Sequence, residues 1–226
     1  MIPYNRDLRK AFLKNAGEEK ATPMKKYMRD QFDFFGLPSK ERREISKDYI
    51  KSRPLPDGGE MKEIVMELWT LPEREFQYFG MELFMKLNKK WSDKDHVLIE
   101  ELIVNKSWWD TVDFLASNIA GDYFKKFPAQ VEQVTGKWNQ SKNIWLQRTS
   151  LLFQLKYKKQ TDFILLTRYI EQLSGSKEFF IQKAIGWILR EYSKTQPSTV
   201  KRFLKEHSLA PLSKREAIKV MAKGEV

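Results

Sequence analysis

The stretch KEFFIQKAIGWILREYSK, residues 177–194, decides the fold class. Phe180, Ile181, Ala184, Ile185 and Ile188 recur at helical spacing and make one apolar face. Lys183, Trp187, Arg190 and Lys194 follow one another at four, three and four residues and make a second line. A strand of period two would scatter both sets over both faces. Only a helix sorts them.

The same period continues outward in both directions. Sustained alternation is missing, and there is no Asn-Gly hairpin signal. The one Asp-Gly, Asp57-Gly58, leads into another helical pattern. Thr22-Pro23 predicts an N-cap and first turn for a helix to about Phe34, with Gly36 as its stop. Ser39 or Pro38 opens a helix to Ser52, and RPLPDGG (53–59) is a loop. Helices are expected over 60–70 and, after Leu71-Pro72, from PEREFQYFGMELFMKL. Ser92 with Asp95 and Ser107 with Asp110 form capping-box pairs for helices ending near Val104 and Ile119. Further helices are expected over 122–127, 128–139, 142–157, 162–173, 177–194, 197–206 and 213–222. Roughly a dozen helices with short connections fit stacked pairs at a period of about 35–45 residues. An irregular helical bundle is the rival architecture. No linker breaks the series, so residues 1–226 read as a single domain.

Composition narrows function. The 226 residues include no Cys, which excludes a disulfide scaffold, a thiolate nucleophile and a Cys-bound metal. His96 and His207 are the only histidines, so a His-built metal centre is not expected. No signal peptide or membrane span is expected, which places the chain in the cytoplasm. Lys plus Arg is 41 and Asp plus Glu is 30, a net charge of +11. Residues 1–113 hold 21 of each sign, and residues 114–226 hold 20 basic against 9 acidic. The whole surplus lies in the second half. A one-signed field of this size suits a polyanionic partner, nucleic acid first.

Aromatic and charged side chains are interleaved in that half. Trp108, Val112, Leu115 and Ile119 predict the core stripe of helix 107–119. Trp109 and Asp113 lie on the next line as an i, i+4 pair. Trp187 sits within the basic line Lys183, Arg190, Lys194, the composition of a nucleic-acid surface. Helix 142–157 adds Trp145 and Arg148, then the cations Lys156 and Lys158. Arg148 is the best candidate for a fixed phosphate or carboxylate partner. Lys214 and Arg215 stand near the start of the last helix, and Tyr27 is a candidate contact from the first half. There is no P-loop, Rossmann fingerprint, HExxH or EF-hand loop.

ELIVNKSWWDTVD (101–113), NIWLQR (143–148), LLFQLKYK (151–158), SKEFFIQKAIGWILREY (176–192) and LAPLSKREAIK (209–219) resemble the AlkD-type DNA alkylation repair enzymes. These are HEAT-like-repeat alkylpurine DNA glycosylases, and the likeness runs through LPEREFQ (71–77) over nearly the whole chain. The resemblance implies an all-α superhelix, a HEAT-like repeat solenoid with a concave basic face for double-stranded DNA. It implies hydrolysis of the N-glycosidic bond of cationic N3- and N7-alkylated purines, without a lyase step and without flipping the base. 3-Methyladenine, 7-methylguanine and bulkier adducts are the implied substrates. It places the catalytic groups at Asp113, Trp109 and Trp187, with Arg148 beside them. It implies no metal or other cofactor and no obligate protein partner, so a monomer is expected. A non-catalytic duplex-binding helical-repeat protein is the alternative.

Overall fold

The computed structural model describes residues 1–221 of the chain. It is an all-α helical-repeat fold, with no β-sheet among the described residues. The helices gather into two compact units, one over residues 1–92 and one that begins at residue 93.

The first unit contains α1 (Pro3–Leu13), α2 (Glu18–Tyr27), α3 (Ser39–Lys51), α4 (Gly58–Thr70) and α5 (Arg74–Lys86). Its core is aromatic. Phe12, Phe35 and Phe76 meet with ring centroids 5.2–5.8 Å apart, and Phe79 packs on Tyr49 at 5.7 Å. Asp57 and Glu60 form a full capping box at the start of α4. The helix expected from Pro23 instead begins at Glu18, so Pro23 lies inside α2. It ends at Tyr27, and Arg29 and Asp30 then take positive φ angles of 55° and 58°. The Asp30 N–H closes back on the Lys25 carbonyl at 2.9 Å, and this left-handed turn ends the helix. The Glu75 carboxylate accepts the backbone N–H groups of Phe35, Gly36 and Leu37, each at 3.1 Å. Those contacts pin the segment just beyond the expected helix end at Phe34. Gly36, at φ 86°, admits no side chain, since a Cβ there would lie 2.1 Å from the Gly17 carbonyl oxygen.

The second unit contains α6 (His96–Val104), α7 (Trp109–Phe114), α8 (Gly121–Lys126), α9 (Val131–Gln140) and α10 (Ile144–Leu152). It continues with α11 (Phe163–Leu173), α12 (Phe179–Ser193), α13 (Pro197–Glu206) and α14 (Pro211–Ala217). Leu115–Ala120, between α7 and α8, is π-helical. Residues 109–126 therefore run as one continuous helical stretch with a π-helical middle, joining the helices expected over 107–119 and 122–127. Its expected core residues Val112, Leu115 and Ile119 are buried, whereas Trp108 is the N-cap and only half-buried. The N-cap residues of α6 and α7 are Asp95 and Trp108 rather than the expected Ser92 and Ser107. Asp95 makes no side-chain cap, and the Ser107 hydroxyl donates backward to the Ile103 carbonyl at 2.6 Å. Asn143 caps α10 by accepting from the Trp145 and Leu146 N–H groups. That helix ends at Leu152, before Lys156 and Lys158. The last helix begins at Pro211 and ends at Ala217 rather than spanning 213–222, and residue 222 lies outside the described residues.

Candidate active site

Three helices of the second unit build one cleft. α7 supplies Trp109 and Asp113, α10 supplies Arg148, and α12 supplies Phe179, Phe180, Lys183, Trp187 and Arg190. Glu216 of α14 completes the lining of a space of about 370 Å³. Trp109 and Asp113 share a face because they lie one helical turn apart.

Asp113 and Arg148 form the central polar pair. Arg148 Nε donates to Asp113 Oδ1 at 2.7 Å and Nη2 donates to Oδ2 at 3.0 Å. This is the two-pronged geometry in which a guanidinium holds a carboxylate plane in one orientation. The third prong, Nη1, donates to the Phe180 carbonyl oxygen. Arg148 is only 5% exposed, whereas Asp113 keeps 18% of its side-chain surface open. Burial raises the Asp113 carboxyl above its ordinary value, and the Arg148 fork pulls it the other way. The fork wants both oxygens as acceptors, which only the ionised carboxylate provides.

An aromatic layer supports this pair. Trp145 packs on Phe180 at 4.9 Å and on Trp108 at 5.9 Å, and Trp108 meets Phe180 edge-on at 5.5 Å. Trp145 is buried in this layer, so it is a support and not part of the open cleft. Phe180, which its spacing assigns to the core face, is half-buried and lines the cleft.

The basic line on α12 is partly neutralised. Lys183 and Arg190 both donate to Glu216, at 2.8 and 3.1 Å. Burial pushes the Glu216 carboxyl up, but bonds from Lys183 and Lys219 outweigh it and hold the group at about 2. Lys194 donates to Glu191 at 2.6 Å and does not line the cleft. Lys156 donates to Asn118 of the π-helical segment and is exposed, as is Lys158. Lys214 and Arg215 are exposed on α14, away from the cleft lining. Tyr27 ends α2 in the first unit, 70% exposed, on a separate groove lined by Pro23, Met24, Phe34, Pro38 and Tyr78. Glu216 and Phe179 were not singled out from sequence. Glu216 lies inside the quoted stretch 209–219, but nothing local marks it as the partner of cations about 30 residues earlier.

Among the described residues no cluster of His, Asp and Glu could hold a metal ion. No helix among them is long and apolar enough to cross a membrane.

Residues 8–221 match the model of the DNA alkylation repair enzyme family, a span that runs through both units. The chain belongs to this family. A predicted DNA alkylation repair enzyme from Enterococcus faecalis is similar over 92% of this chain and 97% of its own, with 33% identity and a TM-score of 0.85. AlkD2 from Streptococcus mutans shares the fold at 21% identity and a TM-score of 0.62, over 80% of this chain and 89% of its own. The smu.31 protein from Streptococcus mutans UA159 does so at 21% identity and 0.60, over 80% and 91%. No curated protein matches. As an AlkD-type member, the chain belongs to a family of DNA alkylation repair enzymes.

Proposed function

We propose that the protein hydrolyses the N-glycosidic bond of cationic N3- and N7-alkylated purines in double-stranded DNA. The observation that carries this reading is the Asp113 carboxylate, locked by Arg148 yet open to a cleft between two tryptophans. An alkylated purine already carries positive charge and leaves readily. As its bond to C1′ stretches, positive charge develops on the deoxyribose. A carboxylate held in advance beside that sugar stabilises the charge without reorganising, and it can orient the attacking water. Asp113 has this role. The faces of Trp109 and Trp187 attract the polarised sugar hydrogens. Arg148 has no part in phosphate contact in this reading, because it is buried and three of its five N–H groups are engaged within the protein. Its task is to aim Asp113.

Phosphate contact falls to cations on the accessible surface. Lys183 and Arg190 border the cleft, with Lys156, Lys158, Lys194, Lys214 and Arg215 as outer contacts and Tyr27 as a neutral one. A lyase step needs a free amine to attack C1′. Lys183 is the lysine in the cleft lining, and its amine is committed to Glu216. The reaction therefore stops at free base and an abasic site. In this reading the base is attacked without being flipped out of the duplex, unlike the route of most base-processing enzymes. The protein needs no cofactor or second copy for this chemistry.

The test is release of free base from a duplex containing 7-methylguanine, with EDTA present, for wild type and Asp113→Asn. Release by wild type and its loss in the variant is expected. Tight duplex binding without release would instead support a non-catalytic duplex-binding protein.

A further inference from the structure

Glu216 is the odd charge in a site that faces a polyanion. Its side chain is 7% exposed, and it accepts from three cations: Lys183, Arg190 and Lys219. Lys183 and Arg190 stand four residues before and three residues after Trp187, on the same line of α12. One carboxylate thus joins the cations on either side of that tryptophan. Lys219, more exposed, holds the same Oε1 oxygen from its own side at 2.6 Å.

The backbone is built for this reach. A Cβ at Gly186 would lie 2.4 Å from the Glu216 Cβ and 2.7 Å from the Ser213 carbonyl oxygen. Only glycine lets α14 settle this closely on α12. The Ser213 hydroxyl donates to the Gln182 carbonyl at 2.8 Å and sets the register of the contact. Glu216 is therefore placed against residue 186, beside Trp187, and lines the same cleft as Asp113.

A carboxylate here weakens long-range attraction for DNA. It also removes the rotamer freedom of a long Lys and a long Arg before DNA arrives. Resting on the glycosylase reading above, we infer that Glu216 is a positioning residue. It sets Lys183 and Arg190 on either side of Trp187, so that both meet the backbone phosphates flanking the sugar against which Trp187 packs.

The experiment is single-turnover release of 7-methylguanine at saturating enzyme, paired with duplex-binding titrations. Glu216→Gln should bind undamaged duplex at least as tightly as wild type, having lost a negative charge, yet release base about tenfold more slowly. In a Lys183→Ala, Arg190→Ala background the same change should have no further effect on the rate. Glu216→Asp keeps the charge but falls one methylene short of both cations, so a folded Glu216→Asp protein should show an intermediate rate. A wild-type rate in either folded variant overturns the inference. So does an equal slowing in the doubly substituted background, since that would mark a role unrelated to the two cations. Absence of release by wild type itself would overturn the glycosylase reading, and this inference with it.

Discussion

Glu75 and Asp113 are both carboxylates set inside helical packing, and burial raises the proton affinity of each. Their partners differ. Glu75, with none of its surface exposed, accepts three consecutive backbone N–H groups from a loop 38–40 residues away. Asp113 accepts from one side chain, keeps part of its surface open and looks into a cleft. A carboxylate closed over by backbone donors is a fastener, because its lone pairs are spent on fixed groups. A carboxylate held by one guanidinium is oriented but still has a face to offer. Burial alone therefore does not distinguish a structural acid from a chemical one; the nature and direction of the partners does.

The contrast breaks first at Asp113. Asp113→Asn should slow base release by about 10²–10³-fold or more, the scale for losing a preorganised charge-stabilising group. It also leaves the buried Arg148 charge without its counter-charge, so thermal unfolding should shift down. In wild type, release should fall on the acid side as Asp113 takes up a proton. Because its pKa is raised, that fall should come at a higher pH than the ordinary aspartate value of about 3.9. A pH–rate profile with no acid limb above that value would remove Asp113 from the chemistry.

Glu75→Ala should show the opposite pattern. Three backbone donors would be stranded in the interior, at a cost of about 3 kcal/mol or more in denaturant unfolding. At a temperature where the variant stays folded, base release at saturating enzyme should stay close to wild type. A large loss of rate in a folded Glu75→Ala protein would erase the distinction between the two acids.

Glu216 supplies a third case, a carboxylate whose partners are cations and whose pKa falls from 4.5 to about 2. A depressed carboxylate pKa stabilises the fold above the unfolded value, and that stability is lost as pH drops toward the folded value. Glu216→Gln should therefore lower stability by roughly 1–2 kcal/mol near neutrality, discounting for the partly exposed cations. The gap between the two unfolding temperatures should narrow from about pH 4.5 downward. A gap independent of pH would show that the three cations do not act through the Glu216 charge.

The smallest effect belongs to the outer surface. Lys158→Ala should reduce the salt dependence of duplex binding by about 0.9 in the slope of log K against log salt, as for one lost phosphate contact. An unchanged slope would confine DNA contact to the cations nearer the cleft.

Local periodicity was sufficient for the helical class and for the lines that carry the site. Trp109 with Asp113, and Lys183 with Trp187 and Arg190, could be paired from spacing because residues one turn apart on a helix are neighbours whatever surrounds them. What each line faces is not local information. That Arg148 spends its fork on Asp113, 35 residues earlier, depends on how α10 packs against α7. That Trp145 is a buried support follows from the packing of Trp108 and Phe180 around it. The early end of α2 comes with Arg29 and Asp30 in the left-handed region, a backbone state that neither residue type announces. Glu216 entered the site only because α14 lies against Gly186. Sequence determines which residues share a helix face, since that depends on a rise and a rotation per residue. Tertiary structure decides which charges meet across faces, since a hydrogen bond is satisfied by distance in space and is indifferent to separation along the chain.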